Sequence, residues 1–182
     1  MKIYMVKISD SNEEKLDSIW LHIHEEKARK IQSFTDKKNM IRTLVGEILI
    51  RTIIIKELRI NNKCIIFEKN KYGKPYLKNY PTFNFNISYS GNYVTCAISE
   101  WPIGIDIEQI KYINYKKIAQ SVFSTNEFEY ITNSNVSIQL DRFYEIWTLK
   151  ESFIKCCGKG LAISLKSFSV LLQKRMYMCV II

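Results

Sequence analysis

FNFNISYSGNYVTCAISEWPIGIDIE, residues 83–108, is the stretch on which the architecture turns. Two strand-like runs, 83–88 and 93–99, flank Ser90-Gly91-Asn92, a hairpin type of connection. Residues 103–108 then read as a third strand. Side chains two apart in a strand share a face, so Asp106 and Glu108 project together while Ile105 and Ile107 face the core. Two converging carboxylates repel unless a cation lies between them. Hard oxygen donors suit Mg²⁺, which takes one or two carboxylates and completes its shell with phosphate oxygens and water. An ordinary solvated strand face carries the same DxE pair, so the pair alone does not decide the chemistry.

Downstream, residues 140–157 form an amphipathic helix stopped by Gly158 and Gly160. Phe143, Trp147, Ile154 and Cys157 make an apolar stripe, and Lys150 falls on it with Glu151 beside it. Charges on a core-facing stripe are costly unless paired or bound. Glu151 and Lys155 also fit a surface i,i+4 pair, which leaves Lys150 unexplained. A third carboxylate beside the strand pair, with two lysines near, makes a site for metal and phosphate.

The remaining pattern is mixed. A strand is expected at 1–8, a helix or turn at 18–24, a short basic helix at 25–34, and a helix capped by Asp36 and running to about Leu58. A strand at 64–67 precedes turn chemistry at Tyr72-Gly73-Lys74-Pro75. A helix at 115–123 is followed by one opening at Ser124, with Glu127 at capping-box spacing. Residues 132–137 read as a loop, and 167–172 and 177–182 as final strands.

Composition narrows the setting. The 182 residues carry a formal charge of +9, from 27 basic and 18 acidic side chains, which favours acidic partners without choosing among them. The five cysteines (64, 96, 156, 157 and 179) are odd in number and show no repeated CxxC spacing, so buried free thiols are the simplest reading. Lys2, Lys7 and Asp10 interrupt any leader-like run, and the apolar stretch 48–55 contains Arg51 and is short for a span. These features predict a soluble, cytoplasmic protein with no membrane partner.

The strings FNISYSGNYVTCAIS, IGIDIE, FSTNEF and FYEIWTLKESFIKCCGKGLAISLKSFSV, in this order, resemble the signature blocks of 4'-phosphopantetheinyl transferases of the surfactin-synthetase-activating type. YGKPYL and IRTLVGEILIR resemble that family's N-terminal half. The resemblance implies an α+β fold of two pseudo-symmetric α/β halves, 1–102 on the coenzyme A nucleotide side and 103–182 on the metal and catalytic side. It implies transfer of phosphopantetheine from coenzyme A to a carrier-protein serine, releasing 3',5'-ADP. Asp106, Glu108 and Glu151 would hold Mg²⁺, Lys150 and Lys155 would contact phosphates, and Glu151 would accept the serine proton. Lys27, Lys30 and Thr43 would surround the 3'-phosphate, with Arg42 a further phosphate contact. Lys74, Pro75, Ser88 and Tyr89 would shape the nucleotide pocket, and Glu127 is a further candidate catalytic acid. Each has a plainer reading: Lys27 and Lys30 as a solvated basic face, Glu127 as the capping-box acid only, Lys74 as an exposed turn lysine. His22 and His24 lie outside the matching blocks. The partner implied is an acidic apo carrier protein, docking on 112–123, with the enzyme a monomer and no nucleic acid involved.

Two departures stand out. The family's hairpin motif carries histidine where this chain has Tyr89, which predicts weaker coenzyme A binding. The chain also stops soon after the expected strand at 167–172, so the second half is expected to be truncated. The alternative to an active enzyme is a degenerate relative that binds coenzyme A or carrier protein with little turnover.

Overall fold

A computed structural model describes residues 1–9, 20, 23–171 and 180–181. Strand β1 (Lys2–Lys7) and the hairpin β4 (Asn84–Ser90) and β5 (Tyr93–Ser99) form an antiparallel sheet in the order β1-β5-β4. The register sets two faces, because paired residues point the same way. Phe85 pairs with Ile98, and Ile87 pairs with Cys96, which pairs with Tyr4. These side chains pack on one side against the long helix α2 (Lys37–Leu58), where Ile50, Ile53 and Ile54 are buried. Burying each such side chain stabilises the fold by about 1.5–3 kcal/mol. On the other side stand Asn86, Ser88 and Ser90, level with Ala97, Thr95 and Tyr93. Being covered on both faces, β5 is buried without alternation from Val94 to Ile98, Thr95 included.

The helix termini follow the expected chemistry. Asp36 caps α2 by accepting from the Lys38 amide at 2.9 Å, and Arg59 closes it at φ 54°. The basic helix α1 (Glu25–Gln32) packs beside α2 through Ile31. The small hairpin β2 (Phe67–Lys69) and β3 (Pro75–Leu77) lies against the same core.

Past residue 102 the chain lays a short segment over the second face, of which only Ile107–Glu108 is regular strand (β6), paired in parallel with β7 (Val180–Ile181). Helices α3 (Tyr115–Val122), α4 (Thr125–Thr132) and α5 (Gln139–Cys157) then enclose Ala119, Phe123, Ile131, Phe143 and Ile146. The capping box at Ser124 and Glu127 forms with both of its bonds.

Several expectations need correction. Residues 64–67 are not a strand, because a 3-10 turn at Asn62–Cys64 precedes β2. The third strand is shorter than 103–108, and 167–171 is a 3-10 turn (Leu165–Ser167) followed by irregular chain. Of the strand expected at 177–182, only 180–181 is described, and most of 18–24 lies outside the described residues. Among the described thiols Cys96 is buried, with its pKa pushed up to about 12 by that burial, whereas Cys64 and Cys157 are exposed. Cys157 therefore leaves the apolar stripe of α5. No helix among the described residues is long and apolar enough to cross a membrane.

Candidate active site

The second face of the sheet, β6 and the C-terminal half of α5 enclose a cleft of about 490 Å³, lined by Ser88, Tyr89, Asp106, Glu108, Trp147, Glu151 and Lys155. The Lys155 ammonium lies 2.6 Å from Asp106 Oδ1 and donates to Ser88 Oγ at 2.9 Å. The Ser88 hydroxyl in turn donates to Asp106 Oδ1 at 2.9 Å and accepts from the Ile107 amide at 3.3 Å. Ser90 donates to Glu108 Oε2 at 2.9 Å. Sequence period alone placed the carboxylates on one face; the hydroxyls of β4 and Lys155 hold them there.

Charge in this cleft is under-neutralised. Asp106 is 8% exposed, and its Oδ2 has no hydrogen-bond partner among the described residues. Burial, followed by repulsion from Asp106, pushes the Glu151 carboxyl above its ordinary range. Burial also raises Glu108, against the Ser90 hydrogen bond and with repulsion from Asp106 adding to the rise. An orphaned buried oxygen beside two carboxyls raised by burial, with like-charge repulsion adding to the rise, fits a bound cation. Among the described residues no group of three or more His, Cys, Asp and Glu side chains forms a ready-made cage. Carboxylate oxygens are hard donors, of the kind that hold a hard divalent cation together with phosphate oxygens and water.

A second pocket of about 680 Å³ shares Glu151 and Lys155 with the cleft and extends along Lys74, Pro75, Val122, Ile154 and Leu165. The end of α5 that carries Lys155 is clamped from the first half of the chain. Lys74 Nζ donates to the carbonyls of Ile103 (3.0 Å), Lys155 (2.7 Å) and Cys156 (3.1 Å). Two of these carbonyls, of Lys155 and Cys156, end a helix, a natural seat for a cation, and Ile103 adds a third. Burial lowers the Lys74 pKa. Asn70 Nδ2 donates to the Gly158 carbonyl at 2.8 Å, while its Oδ1 accepts from the Tyr72 and Lys74 amides. Gly104 lets the backbone press on the helix: a Cβ there would collide with the Ser152 carbonyl oxygen and stand 2.5 Å from Cys156 N.

The structure does not bring every expected residue to the cleft. Lys150 points the other way, fully buried, with its three N–H groups on Glu127 Oε1 (2.7 Å), Glu127 Oε2 (2.8 Å) and the Phe168 carbonyl (2.6 Å). No donor is left for a phosphate, which corrects the expectation for Lys150. Glu127 is corrected with it, since its carboxylate is spent on Lys150 and on the amides of Ser124 and Val170. Burial alone would raise the Glu127 pKa, but these hydrogen bonds outweigh it and hold the carboxyl low.

Arg42 is bonded to the hairpin carbonyl of Gly91 at 2.8 Å and to Asn39, so it pins the turn rather than facing the cleft. The Thr43 hydroxyl donates to the Asn39 carbonyl within its own helix. Lys30 is exposed on α1, and Lys27 lies 3.7 Å from the buried Glu47. Pro75 lines the second pocket, together with Lys74, Glu151 and Lys155. Sequence reasoning missed Asn70 and Ser90. Asn70 sits in a loop and carries no charge to draw notice, whereas Ser90 shares the period of two that marks Ser88.

Comparison with known proteins adds to this geometry. The model of the 4'-phosphopantetheinyl transferase superfamily matches residues 102–180, and that of a 4'-phosphopantetheinyl transferase N-terminal region matches 10–100. The chain is 39% identical over 175 residues to 4'-phosphopantetheinyl transferase Sfp of Bacillus subtilis, covering 96% of this chain and 78% of that protein. It is 42% identical over 147 residues to 4'-phosphopantetheinyl transferase gsp of Aneurinibacillus migulanus, covering 81% and 61%. A human relative, L-aminoadipate-semialdehyde dehydrogenase-phosphopantetheinyl transferase, is 34% identical over 157 residues, covering 79% and 51%. With both parts of the chain matched and an acidic cleft formed where they meet, the chain belongs to the 4'-phosphopantetheinyl transferase superfamily.

Proposed function

We propose that this chain transfers 4'-phosphopantetheine from coenzyme A to a serine hydroxyl of an apo carrier protein, releasing 3',5'-ADP, with the acidic cleft as the reaction centre. The observation that carries this reading is the convergence of Asp106, Glu108, Glu151 and Lys155 on one cleft in which a buried carboxylate oxygen has no partner among the described residues. Asp106, Glu108 and Glu151 would hold Mg²⁺, which when bound neutralises charge on the pyrophosphate. Lys155, held on Asp106 and Ser88, would supply the counter-charge for a phosphoryl oxygen. Glu151, raised by burial, is suited to take the proton of the attacking serine. The serine oxygen then bonds to the phosphorus carrying pantetheine, and the bond to the 3',5'-ADP oxygen breaks. Net atoms balance with the proton on Glu151, and no covalent enzyme intermediate is needed.

The nucleotide would run from Ser88 and Tyr89 toward Lys27, Lys30 and Thr43, placing its 3'-phosphate near the basic face of α1 and α2. The division at 102/103 then puts nucleotide and metal on opposite sides of the joint. An acidic carrier would be steered by the net charge of +9 and would dock on 112–123, where Tyr112 is 93% exposed. We place the enzyme in the cytoplasm as a monomer acting on protein rather than nucleic acid. Four free cysteines among the described residues support a reducing compartment.

The test is mass spectrometry of an apo carrier protein incubated with the chain, coenzyme A and Mg²⁺. A gain of one phosphopantetheine, abolished by a chelator or by Asp106→Ala, is the expected result. No gain from folded protein across several carriers would overturn it in favour of a relative that binds without turnover.

A further inference from the structure

The polar face of β4 is built as a ladder. Asn86 Oδ1 accepts from the Ile105 amide at 2.9 Å, Ser88 Oγ from the Ile107 amide at 3.3 Å, and Ser90 Oγ from the Gln109 amide at 3.0 Å. Each rung joins residues 19 apart, so the 105–109 segment runs parallel to β4 but is bound through side chains rather than a backbone ladder. The two serines work in both directions. Each accepts from an amide and donates its only proton to the carboxylate of the residue just before that amide: Asp106 for Ser88, Glu108 for Ser90. A hydroxyl that accepts from an amide still has one proton to donate, and in both serines it is directed at the carboxylate. The carboxylates therefore inherit their positions, and their spacing, from alternate residues of one rigid strand.

We propose that Ser90 is a positioning residue that holds Glu108 toward the cleft. The inference rests on reading the cleft as the metal and pyrophosphate site. Glu108 needs such a tether because it shares the cleft with the like-charged Asp106 and Glu151, and a glutamate side chain has rotamers that would carry it into solvent. Ser88 is bound to Lys155 as well, so changing it disturbs two groups at once; Ser90 bears on Glu108 alone among the carboxylates. Groups that orient a metal-binding carboxylate commonly change metal affinity by roughly 10- to 100-fold when removed.

The experiment measures Mn²⁺ binding in the presence of coenzyme A, following free Mn²⁺ by electron paramagnetic resonance, for wild type, Ser90→Ala, Ser90→Thr and Asp106→Asn. Thermal unfolding and steady-state kinetics are taken on the same samples. Ser90→Ala should weaken Mn²⁺ binding by roughly 10- to 100-fold. It should raise the Mg²⁺ needed for half-maximal rate to a similar degree, with kcat recovering at saturating Mg²⁺. Ser90→Thr, which keeps the hydroxyl, should restore both. Should Ser90→Ala unfold, Ser90→Cys, a weak donor of similar size, carries the same comparison. Wild-type Mn²⁺ affinity in a folded Ser90→Ala protein, with Asp106→Asn impaired, would overturn the role of Ser90 while leaving the site intact. Equal defects in the Ala and Thr variants would also overturn it. Unimpaired binding by Asp106→Asn would instead remove the reading of the cleft itself, and this inference with it.

Discussion

Replacing Lys150 with methionine should unfold this protein far more readily than its place outside the cleft suggests. The Lys150 side chain is 0% exposed and that of Glu127 is 2% exposed, and the ammonium lies 2.7 Å from the carboxylate. At an effective dielectric of about 20 that separation corresponds to a gross attraction of about 6 kcal/mol. Removing two ions from water costs several kcal/mol each, so the pair as a whole lies near balance. Breaking one side does not. Lys150→Met leaves a buried carboxylate with only two amides, and about 3–5 kcal/mol of stability should be lost. With a urea slope of about 2 kcal/mol per molar, the midpoint should fall by about 1.5–2.5 M. Glu127→Gln should do similar damage. The double variant removes both charges and should lose only about 1–2 kcal/mol, since one glutamine oxygen cannot serve both the Ser124 and Val170 amides.

Urea unfolding followed by circular dichroism measures all four proteins. A midpoint shift below about 0.5 M for either single variant, or additive losses in the double, would refute the reasoning. Acid adds a second check. Because the Glu127 pKa is depressed in the fold, its stabilisation is complete above the unfolded carboxylate value of about 4.3 and disappears as pH falls through the lower folded value. That acid limb should be weaker in Glu127→Gln. Folded Lys150→Met should keep its Michaelis constant for coenzyme A, which it would not if the ammonium held a phosphate.

Two further outcomes follow from the cleft and its joint. Gly104→Ala forces a methyl group against the backbone of α5, so it should cost the upper end of the roughly 1–3 kcal/mol typical of overpacking. It should also lower kcat by moving Lys155; an unchanged urea midpoint would contradict the close approach at this joint. Tyr89 lines the cleft at 43% exposure. Tyr89→His should lower the Michaelis constant for coenzyme A by about 1.5- to 5-fold, the scale of an exposed ion pair, with the gain growing below about pH 6.5 as the imidazole charges. Absence of any gain across that range would refute a phosphate contact at this position.

Long periodic elements and their punctuation were legible in the sequence. The run from Lys37 to Leu58 behind Asp36, the hairpin around Gly91, and the capping box at Ser124 appear where pattern places them. Short elements were not, because their backbone is held by tertiary groups with no local signature. The 103–108 segment has the alternation of a strand, yet the side chains of Asn86, Ser88 and Ser90 take the amides that a neighbouring strand would have taken. Lys74 reads as a surface turn lysine until α5 is docked, when three carbonyls turn out to need a cation. The pair of Asp106 and Glu108 was visible from period, whereas the serines that fix them were visible only as a period without a purpose.

The helix that carries the catalytic candidates shows why adjacent charges part company. At about 100° per residue, Lys150 lies about 60° to one side of Trp147, while Glu151 and Lys155 lie about 40° and 80° to the other. Phe143, about 40° from Trp147 on the Lys150 side, is buried against Phe123 and Ile131. An ammonium on that side must find a partner inside, and Glu127 at the start of α4 supplies it. On the other side the wall is the polar face of β4 with β6, so Glu151 and Lys155 meet carboxylates and hydroxyls instead of rings. A stripe wide enough to touch two walls therefore sends one lysine into the core and the next to the acidic cleft. The rotation of α5 that buries Lys150 on Glu127 is the one that presents Glu151 and Lys155 to the cleft.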